Sequence, residues 1–266
     1  MSYIERTEML LGREAVNKLK NCHVAVFGLG GVGGHAISAL SRSGIGKLTL
    51  IDNDEVSVTN INRQLPATLA TVGMKKTEAA RLMIEAVRDD CEITLREEFV
   101  LPENIDAFDF SLYDYVIDAI DTVSAKIAII KACDRVGTPV ISAMGAGNKL
   151  DPTKFEVSDI YKTSVCPLAA AVRRELRKSG VKRCKVVYSR EEAVVPEFIP
   201  GEKCENGENS EEKAYKKRIP ASAAFVPSVC GLIIASEVIK DLSAEEISRS
   251  LELRRDKTSA ENTSNT

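Results

Sequence analysis

The sequence predicts an α/β fold with a doubly wound, mostly parallel sheet, and three observations support this. A short apolar run, His23 to Phe27, enters a glycine-rich loop, as a buried strand does before a phosphate-binding turn. A helix pattern and a second apolar strand follow, which together make a βαβ unit. Strand and helix patterns then alternate as far as Gly147, which is typical of a doubly wound sheet.

The elements predicted in this part of the chain follow from apolar patterning. Short apolar or alternating runs are typical of strands, and they lie at 23–27, 48–52, 92–96, 113–118 and 138–142. Apolar residues at helical spacing are typical of crossover helices, and they lie at 36–40, 77–87 and 124–136. The nucleotide-binding core of the fold is therefore expected over about 20–147.

The pattern changes after Gly147 to short polar and apolar alternations. We expect 155–160 and 185–189 to extend the Rossmann-like sheet with C-terminal antiparallel strands. The apolar stretch 221–239 is predicted to form a buried helix.

One domain over 1–255 is the predicted organisation, with 148–255 as a C-terminal extension of the core. Residues 196–220 combine Gly and Pro positions with a charged run that lacks apolar periodicity, so a mobile loop is expected there. The polar tail 256–266 is expected to be disordered.

The composition sets limits on partners. A formal charge of -3 over 266 residues gives no global attraction to nucleic acid or membrane, so any such partner needs a local patch. The apolar stretch 221–239 is interrupted by Pro227 and Glu237, and it falls short of the about 20 apolar residues that span a bilayer. We therefore expect no membrane partner.

The cysteines indicate a reducing compartment. All seven are scattered, and no Cys-x-x-Cys pair occurs, which argues against a disulfide framework or a structural zinc site. The first residues also lack the basic start and apolar run of a signal peptide. A cytoplasmic location is the resulting expectation.

The glycine-rich loop is a candidate phosphate-binding turn. Gly28, Gly30 and Gly33 permit a tight turn, a close backbone approach to phosphate and a helix–strand contact. Alone, this loop would equally suggest a nicotinamide oxidoreductase. Such an enzyme does not explain the hydrophilic segment after the second strand. We interpret its polar side chains as a second set of phosphate ligands, and they are Asn60, Arg63 and Gln64.

Five motifs occur in order in the first 150 residues, and together they are far more specific than the glycine loop. They are the loop 28–34, the acidic strand end 51–54, the run 59–64, the turn 73–76 and the segment 118–121. On these residues the chain resembles the ubiquitin-activating-enzyme-like adenylating family, of the ThiF, MoeB and HesA type. The resemblance implies an enzyme that uses ATP to adenylate a carboxylate.

This resemblance implies which residues hold the phosphates and the ribose of ATP. In such enzymes the loop glycines and the next helix N-terminus bind phosphate through backbone amides, and here these are Gly28, Gly30, Gly31 and Gly33. An acid at the strand end, Asp52, binds the ribose hydroxyls. Asp54 and Gln64 are expected to support the same site.

The resemblance also implies the charged groups of the reaction. Asn60, Arg63 and Lys76 match positions that grip the β- and γ-phosphates and help pyrophosphate leave. Asp121 matches the aspartate that places Mg²⁺ near the α-phosphate. Arg6 matches an arginine that reaches the ATP of a partner subunit, which implies a homodimer. Whether a monovalent cation joins Mg²⁺ is open.

Further motifs lie in the second half of the chain, at 145–153, 162–163 and 167–169, before a basic helix. On these residues the chain resembles one branch of the family, the tRNA threonylcarbamoyladenosine dehydratases. That resemblance implies tRNA as the partner and an ATP-dependent cyclisation through an acyl-adenylate. Cys166 departs from the branch, in which aspartate is usual at this position.

Two other functions remain open from the sequence. An enzyme that adenylates the C-terminal glycine of a ubiquitin-like sulfur carrier would have the same ATP motifs, although such relatives often hold a paired-cysteine zinc site. A non-catalytic nucleotide-binding scaffold is less favoured, because Arg63, Lys76 and Asp121 are all present.

A dense cationic patch lies in the second half of the chain. Its residues are Arg173, Arg174, Arg177, Lys178, Lys182 and Arg183. Most such runs are solvated helix faces. With the resemblance, we expect this patch to bind tRNA phosphates, so that binding depends steeply on salt and little on sequence.

Several other polar residues are given non-catalytic interpretations. Asp118 is expected to cap the next helix rather than to bind a metal. Cys166 is expected to be a partly buried thiol rather than a nucleophile. His23 and His35 have no ready general-base partner in the predicted fold.

Overall fold

The computed structural model describes residues 2–197 and 220–264. Its strands are β1 His23–Phe27, β2 Lys47–Ile51, β3 Glu92–Arg96, β4 Tyr115–Asp118, β5 Val140–Ala143, β6 Phe155–Asp159 and β7 Lys185–Ser189. In the described residues they form one sheet of seven strands, in the order β3-β2-β1-β4-β5-β7-β6. Neighbouring strands are parallel except β6 and β7, which pair antiparallel at one edge.

Helices cover both faces of this sheet. They are α1 Glu5–Leu11, α2 Arg13–Leu19, α3 Gly33–Arg42, α4 Lys76–Glu85, α5 Val123–Val136, α6 Pro167–Lys178, α7 Phe225–Leu242 and α8 Ala244–Ser264. Successive residues of β1 point to opposite faces. Val24 and Val26 join the apolar cluster that includes residues of α3 and α7, whereas Ala25 and Phe27 join the cluster that includes residues of α5.

The predicted α/β fold with a doubly wound, mostly parallel sheet is confirmed. The two C-terminal strands have opposite directions. β7 runs parallel to β5, and β6 runs antiparallel to β7. β6 begins after β5 has ended, without a crossover helix, so it runs back along the sheet. The end of β6 at Asp159 pairs with the start of β7 at Lys185, which returns the chain to the parallel direction.

The end of the chain differs from the expectation. Residues 256–266 are predicted to be disordered, but the backbone is helical as far as Ser264 within α8. This prediction is wrong over 256–264. The reason is local, because no Gly or Pro follows Gly231 and the sequence therefore contains no residue that would break the polar helix. The mobile loop predicted over 196–220 falls almost wholly on 198–219, outside the described residues.

The apolar stretch 221–239 forms most of α7, as predicted for a buried helix. Val226, Cys230, Ile234 and Val238 follow helical spacing and are fully buried against the sheet and its other helices. Within the described parts of the chain, none of the helices has the length and apolar content needed to cross a bilayer.

The parallel strands bring several loops to one edge of the sheet. Gly28 follows β1, Asp52 follows β2, and the segment 119–122 follows β4. β1 and β4 are neighbours although β2 and β3 lie between them in the chain. Ligands of open α/β sheets bind at such a point, where successive connections go to opposite sides.

A buried ion pair lies directly beneath this edge. The ammonium of Lys126, on α5, donates to Asp118 Oδ2 at 2.8 Å and to Ala143 O at 2.9 Å, and Lys126 and Asp118 are fully buried. Ser142 Oγ also bonds Asp118. The other carboxylate oxygen of Asp118 accepts from the backbone N of Ile120 at 3.3 Å. The pair therefore joins the ends of β4 and β5.

The expectation that Asp118 caps the next helix is wrong. The N-cap of α5 is Thr122, and the carboxylate of Asp118 points instead to Lys126 and to the turn that follows β4. The sequence does not reveal this role, because Lys126 lies in a pattern that also fits a solvated lysine on a crossover helix.

We predict that Lys126→Met lowers the free energy of unfolding by about 3–5 kcal/mol, because it leaves the Asp118 carboxylate buried without its cation. The double variant Asp118→Asn/Lys126→Met removes both charges and should lose less. Urea unfolding of the three proteins measures both effects. A single variant within about 1 kcal/mol of the parent would show that the pair does not stabilise the fold.

Candidate active site

A cavity of about 750 Å³ opens at the carboxyl edge of the sheet. This volume lies in the range of about 300–1,000 Å³ that is usual for small-molecule sites. Most of the residues that the sequence assigns to ATP and Mg²⁺ line it, and they are Gly28, Gly30, Gly31, Asp52, Asp54, Asn60, Arg63, Gln64, Lys76 and Asp121.

The glycine loop shapes one wall through close backbone contacts. Gly28 has a φ of +88°, and a Cβ on it would lie 2.7 Å from Ala119 O. Gly33 lies outside the cavity lining, where a Cβ would lie 1.8 Å from Gly28 O. Gly33 therefore closes the loop, while Gly30 and Gly31 face the cavity beside the start of α3. Free amides at such a helix start favour phosphate.

Asp52 connects the glycine loop to the end of β2. Its Oδ2 accepts from Leu29 N at 2.7 Å, and its Oδ1 accepts from Asp54 N at 2.9 Å. Two backbone donors thus fix the orientation of a partly exposed carboxylate in the cavity wall. A carboxylate held in this way is suited to accept bonds from ribose hydroxyls.

The polar segment after β2 supplies cations to the same wall. Lys76 begins α4, and its ammonium pairs with Asp54 Oδ2 at 2.7 Å although Lys76 is only 8% exposed. Arg63 Nη1 donates to Thr59 O at 3.0 Å and to Asn62 Oδ1 at 2.9 Å. An ammonium has three donors and a guanidinium five, so both groups keep donors for phosphate oxygens.

Asn60 and Gln64 make local contacts in the segment that follows β2. Asn60 Oδ1 accepts from Ser57 N at 3.1 Å, which closes the short helix that begins the segment. Gln64 is 7% exposed, and its amide lies 3.8 Å from the position of a Cβ on Gly30. These contacts pack the segment against the glycine loop.

Asp121 lies on the loop after β4 and lines the same cavity as the segment after β2. It is exposed, and Thr122 Oγ1 lies 3.4 Å from its Oδ1. Mg²⁺ commonly takes one or two carboxylates together with phosphate oxygens and water. A single carboxylate beside the predicted phosphate ligands fits that donor set. The described residues contain no group of three or more His, Cys, Asp or Glu suited to a metal.

The opposite wall of the cavity comes from the second half of the chain. It consists of the loop 143–147 after β5, Leu168 at the start of α6, and Pro220 and Ser222. The sequence resemblance singles out 145–153 and 167–169, and the structure brings parts of both to the cavity. Glu98, Phe99 and Val100 also line it, and sequence reasoning missed them. Their signal in the sequence was the short apolar run 99–101, separated by two residues from the end of β3.

Arg6 lies on α1, exposed and outside the cavity lining of its own chain. The structure therefore does not bring it together with the other predicted ATP ligands. Met9 and Leu10 on the same helix are 72% and 71% exposed.

The basic patch is largely a solvent-facing surface of α6 and the turn after it. Arg174, Arg177, Lys178, Lys182 and Arg183 are exposed. Arg174 and Lys178 pair with Glu175 at 3.2 and 2.9 Å, and Arg177 lies over the Tyr161 ring at 5.4 Å. Because these contacts are exposed, they cost little to exchange for contacts with an anionic partner.

Arg173 differs from the other members of the patch. Its Nη1 donates to Thr163 O at 2.8 Å and to Thr163 Oγ1 at 2.6 Å, and the residue is only partly exposed. The guanidinium thus holds the turn before α6, whereas the other members of the patch face solvent. The helical period explains this, since Arg173 follows the buried Val172 on the inner side.

The cysteines and histidines do not form a reactive centre in the described residues. Burial raises the pKa of Cys184 and of Cys230 to about 12, which keeps both thiols protonated. Cys166 is 4% exposed at the N-cap of α6. His23 lies at the start of β1, at the end of the strand away from the cavity, and it bonds Thr49 Oγ1. Burial lowers the pKa of its imidazole. His35 Nδ1 lies 2.8 Å from Gly31 O and supports the glycine loop.

The fold and this site define the class of protein. A model of the ThiF family matches residues 4–263, and the chain belongs to that family. The family predicted from the five motifs is therefore confirmed.

Within the family, the chain is similar to tRNA threonylcarbamoyladenosine dehydratase of Bacillus subtilis, with 44% identity over 240 residues that cover 89% of this chain and 93% of the relative. It is also similar to the structure of the E. coli tRNA N6-threonylcarbamoyladenosine dehydratase in complex with ATP, with a TM-score of 0.79, 35% identity and coverage of 91% and 94%. An adenylyltransferase and sulfurtransferase of Kluyveromyces lactis is 36% identical over 141 residues, which cover only 53% of this chain and 31% of that protein.

Gly30 and Gly33 are expected to have different roles, and matched alanine variants can distinguish them. We predict that Gly30→Ala leaves the free energy of unfolding unchanged, because the atom nearest to its Cβ is 3.8 Å away. The added methyl should weaken ATP binding about tenfold or more by blocking the approach of phosphate to the backbone. Gly33→Ala, whose Cβ meets Gly28 O, should instead destabilise the fold by about 3 kcal/mol or more. Calorimetric ATP titration and urea unfolding measure the two effects, and equal losses of stability would contradict the assignment.

Proposed function

We propose that this protein catalyses the ATP-dependent dehydration of threonylcarbamoyladenosine in tRNA, a cyclisation through an acyl-adenylate. One observation carries the proposal: the predicted ATP ligands line one wall of a cavity, and the start of the basic helix α6 lies in its second wall. Leu168, at the start of α6, lines the cavity, and the exposed cations lie toward the other end of the same helix. A helix of 12 residues is about 18 Å long, so a bound tRNA could reach both places. The names of the relatives agree with this assignment.

In the proposed reaction, an oxygen of the substrate carboxylate attacks the α-phosphorus, and the bond to pyrophosphate breaks. Arg63 and Lys76 neutralise the leaving pyrophosphate, Asn60 can donate a hydrogen bond to it, and the glycine loop holds the phosphate chain. The neighbouring carbamoyl group then attacks the activated carbonyl, AMP leaves, and a ring closes. The net change in the nucleoside is the loss of one water. Ring closure is intramolecular, so orientation by the cavity walls can supply much of the rate.

Asp121 is the residue that we propose for Mg²⁺. When bound, the ion would supply positive charge near the α-phosphate. The backbone around Asp121 is fixed by the bond from Ile120 N to Asp118 and by the contact of Ala119 with Gly28. Asp121 can therefore present its carboxylate at a defined place in the cavity.

We further propose a homodimer in which Arg6 reaches the cavity of the partner subunit. Arg6 is exposed and does not line the cavity of its own chain, and it shares α1 with the exposed Met9 and Leu10. Exposed apolar side chains beside a functional cation are typical of a surface that another chain covers. A tRNA substrate and free thiols fit a cytoplasmic location.

The alternative acceptor is the C-terminal glycine of a ubiquitin-like carrier protein. The ATP wall of the cavity would serve that reaction equally well. The exposed cations on α6 and the full-length similarity to tRNA-modifying relatives favour tRNA. The match to the sulfurtransferase relative covers only about half of this chain.

The acceptor is tested by ATP turnover. AMP formation is measured with threonylcarbamoylated tRNA, with unmodified tRNA and with a ubiquitin-like carrier, and the nucleosides are analysed by mass spectrometry. Turnover with modified tRNA alone, and a nucleoside lighter by one water, is the expected result. Turnover only with the carrier protein would overturn the proposal.

Substitution of Asp121, the proposed magnesium ligand, should reduce catalysis without changing the stability of the fold. Asp121→Asn keeps the size of the exposed side chain, so the free energy of unfolding should stay unchanged. AMP formation should fall at least about a hundredfold, because an electrostatic ligand of the reacting phosphate is lost. The same substitution at the exposed Asp89 is the matched control. Near-normal turnover of Asp121→Asn would exclude this role.

The basic surface is tested by reversing charges that do not hold the fold. Arg174→Glu/Arg183→Glu should weaken tRNA binding by more than about tenfold and reduce its salt dependence, while ATP affinity stays unchanged. Lys20→Glu/Lys47→Glu changes the net charge equally at exposed positions; Lys20 follows α2, and Lys47 begins β2, which three strands separate from β7. Arg173 is left intact because of its internal bonds. Equal losses of tRNA affinity in both double variants would refute a specific patch.

A further inference from the structure

The segment 220–222, which we call the strap, forms a wall of the cavity with Pro220 and Ser222. It lies beside the loop that follows β5. A Cβ on Gly147 would lie 2.8 Å from Pro220 Cβ, so the strap and this loop are in close contact. The position of the strap therefore determines the shape of the wall opposite the glycine loop.

Asn148 holds the strap through a reciprocal pair of hydrogen bonds. Its backbone N donates to Ala221 O at 2.7 Å, and its side-chain Oδ1 accepts from Ala221 N at 2.7 Å. Its own carbonyl accepts from Val194 N at 2.8 Å. Asn148 has a φ of +58°, a left-handed conformation that asparagine tolerates better than most residues. One residue thus fixes both the strap and the segment near Val194.

Asn62 holds the strap from the ATP side. Its Nδ2 donates to Ser222 O at 2.9 Å, while its Oδ1 accepts from Arg63 Nη1 at 2.9 Å. A chain of contacts consequently runs from Arg63, through Asn62 and the strap, to Asn148 and Gly147. It connects the proposed polyphosphate ligand to the wall where the acceptor would lie.

We propose that Asn148 is a positioning residue for the acceptor: through the strap, it sets the distance between the acceptor wall and the phosphates held by Arg63. This inference rests on the proposed function. Asn148 lies outside the cavity lining, and it acts on the acceptor through Gly147, Pro220 and Ser222. A displacement of about 1 Å in such a wall can reduce a rate by about a hundredfold.

The test compares substitutions that keep or remove one hydrogen bond. Asn148→Gly tolerates the positive φ and keeps both backbone bonds, but it removes the acceptor for Ala221 N. Asn148→Asp keeps an oxygen at Oδ1. Asn21→Gly is the control, because Asn21 is exposed and, among the described contacts, its side chain bonds only Asn17 O in its own turn. Urea unfolding reports the folded fraction of each full-length protein.

With threonylcarbamoylated tRNA, the parent should form AMP and cyclised nucleoside in equal amounts. For Asn148→Gly we expect an ATP dissociation constant within about twofold of the parent and a cyclisation rate lower by about tenfold to a hundredfold. AMP should exceed cyclised nucleoside, because water then intercepts a badly placed acyl-adenylate. Asn148→Asp should restore the equal amounts, which a loss of stability alone would not do.

Different results separate this inference from the proposed function. A variant that loses AMP and cyclised nucleoside in equal proportion, matching its folded fraction, would overturn the positioning role. Loss of ATP affinity parallel to the loss of rate would overturn it as well, since the strap would then belong to nucleotide binding. If the parent itself forms no cyclised nucleoside, the proposed function fails, and the inference fails with it.

Discussion

The glycine loop after β1 lies directly against the turn after β4, and the geometry of the cavity depends on this contact. A side chain at Gly28 would collide with Ala119 O, so the two loops can approach only as backbone against backbone. The contact places the loop whose amides are proposed to bind phosphate beside the turn that carries Asp121. Asp52 reinforces it by accepting from Leu29 N. The nucleotide wall is therefore built from backbone packing, with side chains added to it.

A second constraint connects this wall to the rest of the cavity. The buried Lys126 bonds both Asp118, at the end of β4, and Ala143 O, at the end of β5. The turn that carries Asp121 and the loop that continues to Gly147 consequently share one anchor. Burying such a pair has a large desolvation cost. In this fold, the pair fixes the position of the proposed metal ligand relative to the proposed acceptor wall.

The sequence predicts the nucleotide half of the protein well because its signals are local. Strands β1, β3 and β7 have the predicted bounds, and the glycines and polar residues assigned to ATP lie together, since parallel strands end at one edge. The cap role predicted for Asp118 was wrong and the internal bonds of Arg173 were not predicted, for a shared reason. Their partners Thr163 and Lys126 are set by tertiary packing, which neither spacing nor residue type reveals.

Long-range contacts also account for what the sequence did not predict at all. Asn148 and the strap meet across 73 positions of the chain, and Asn62 reaches Ser222 across 160. Phe99 enters the cavity only because β3 is the strand next to β2. The function and fold predicted from motifs agree with the relatives, whereas the contacts that hold the strap in the proposed acceptor wall become visible only in three dimensions.

The most direct test of adenylation follows a heavy oxygen isotope placed in both oxygens of the side-chain carboxylate of threonylcarbamoylated tRNA. The oxygen that attacks the α-phosphorus stays with the phosphate when AMP leaves during ring closure. Mass spectrometry of AMP from the parent protein should therefore find one labelled oxygen for each cyclised nucleoside. Cyclised nucleoside formed together with unlabelled AMP would contradict an acyl-adenylate and, with it, the assigned role of the cavity.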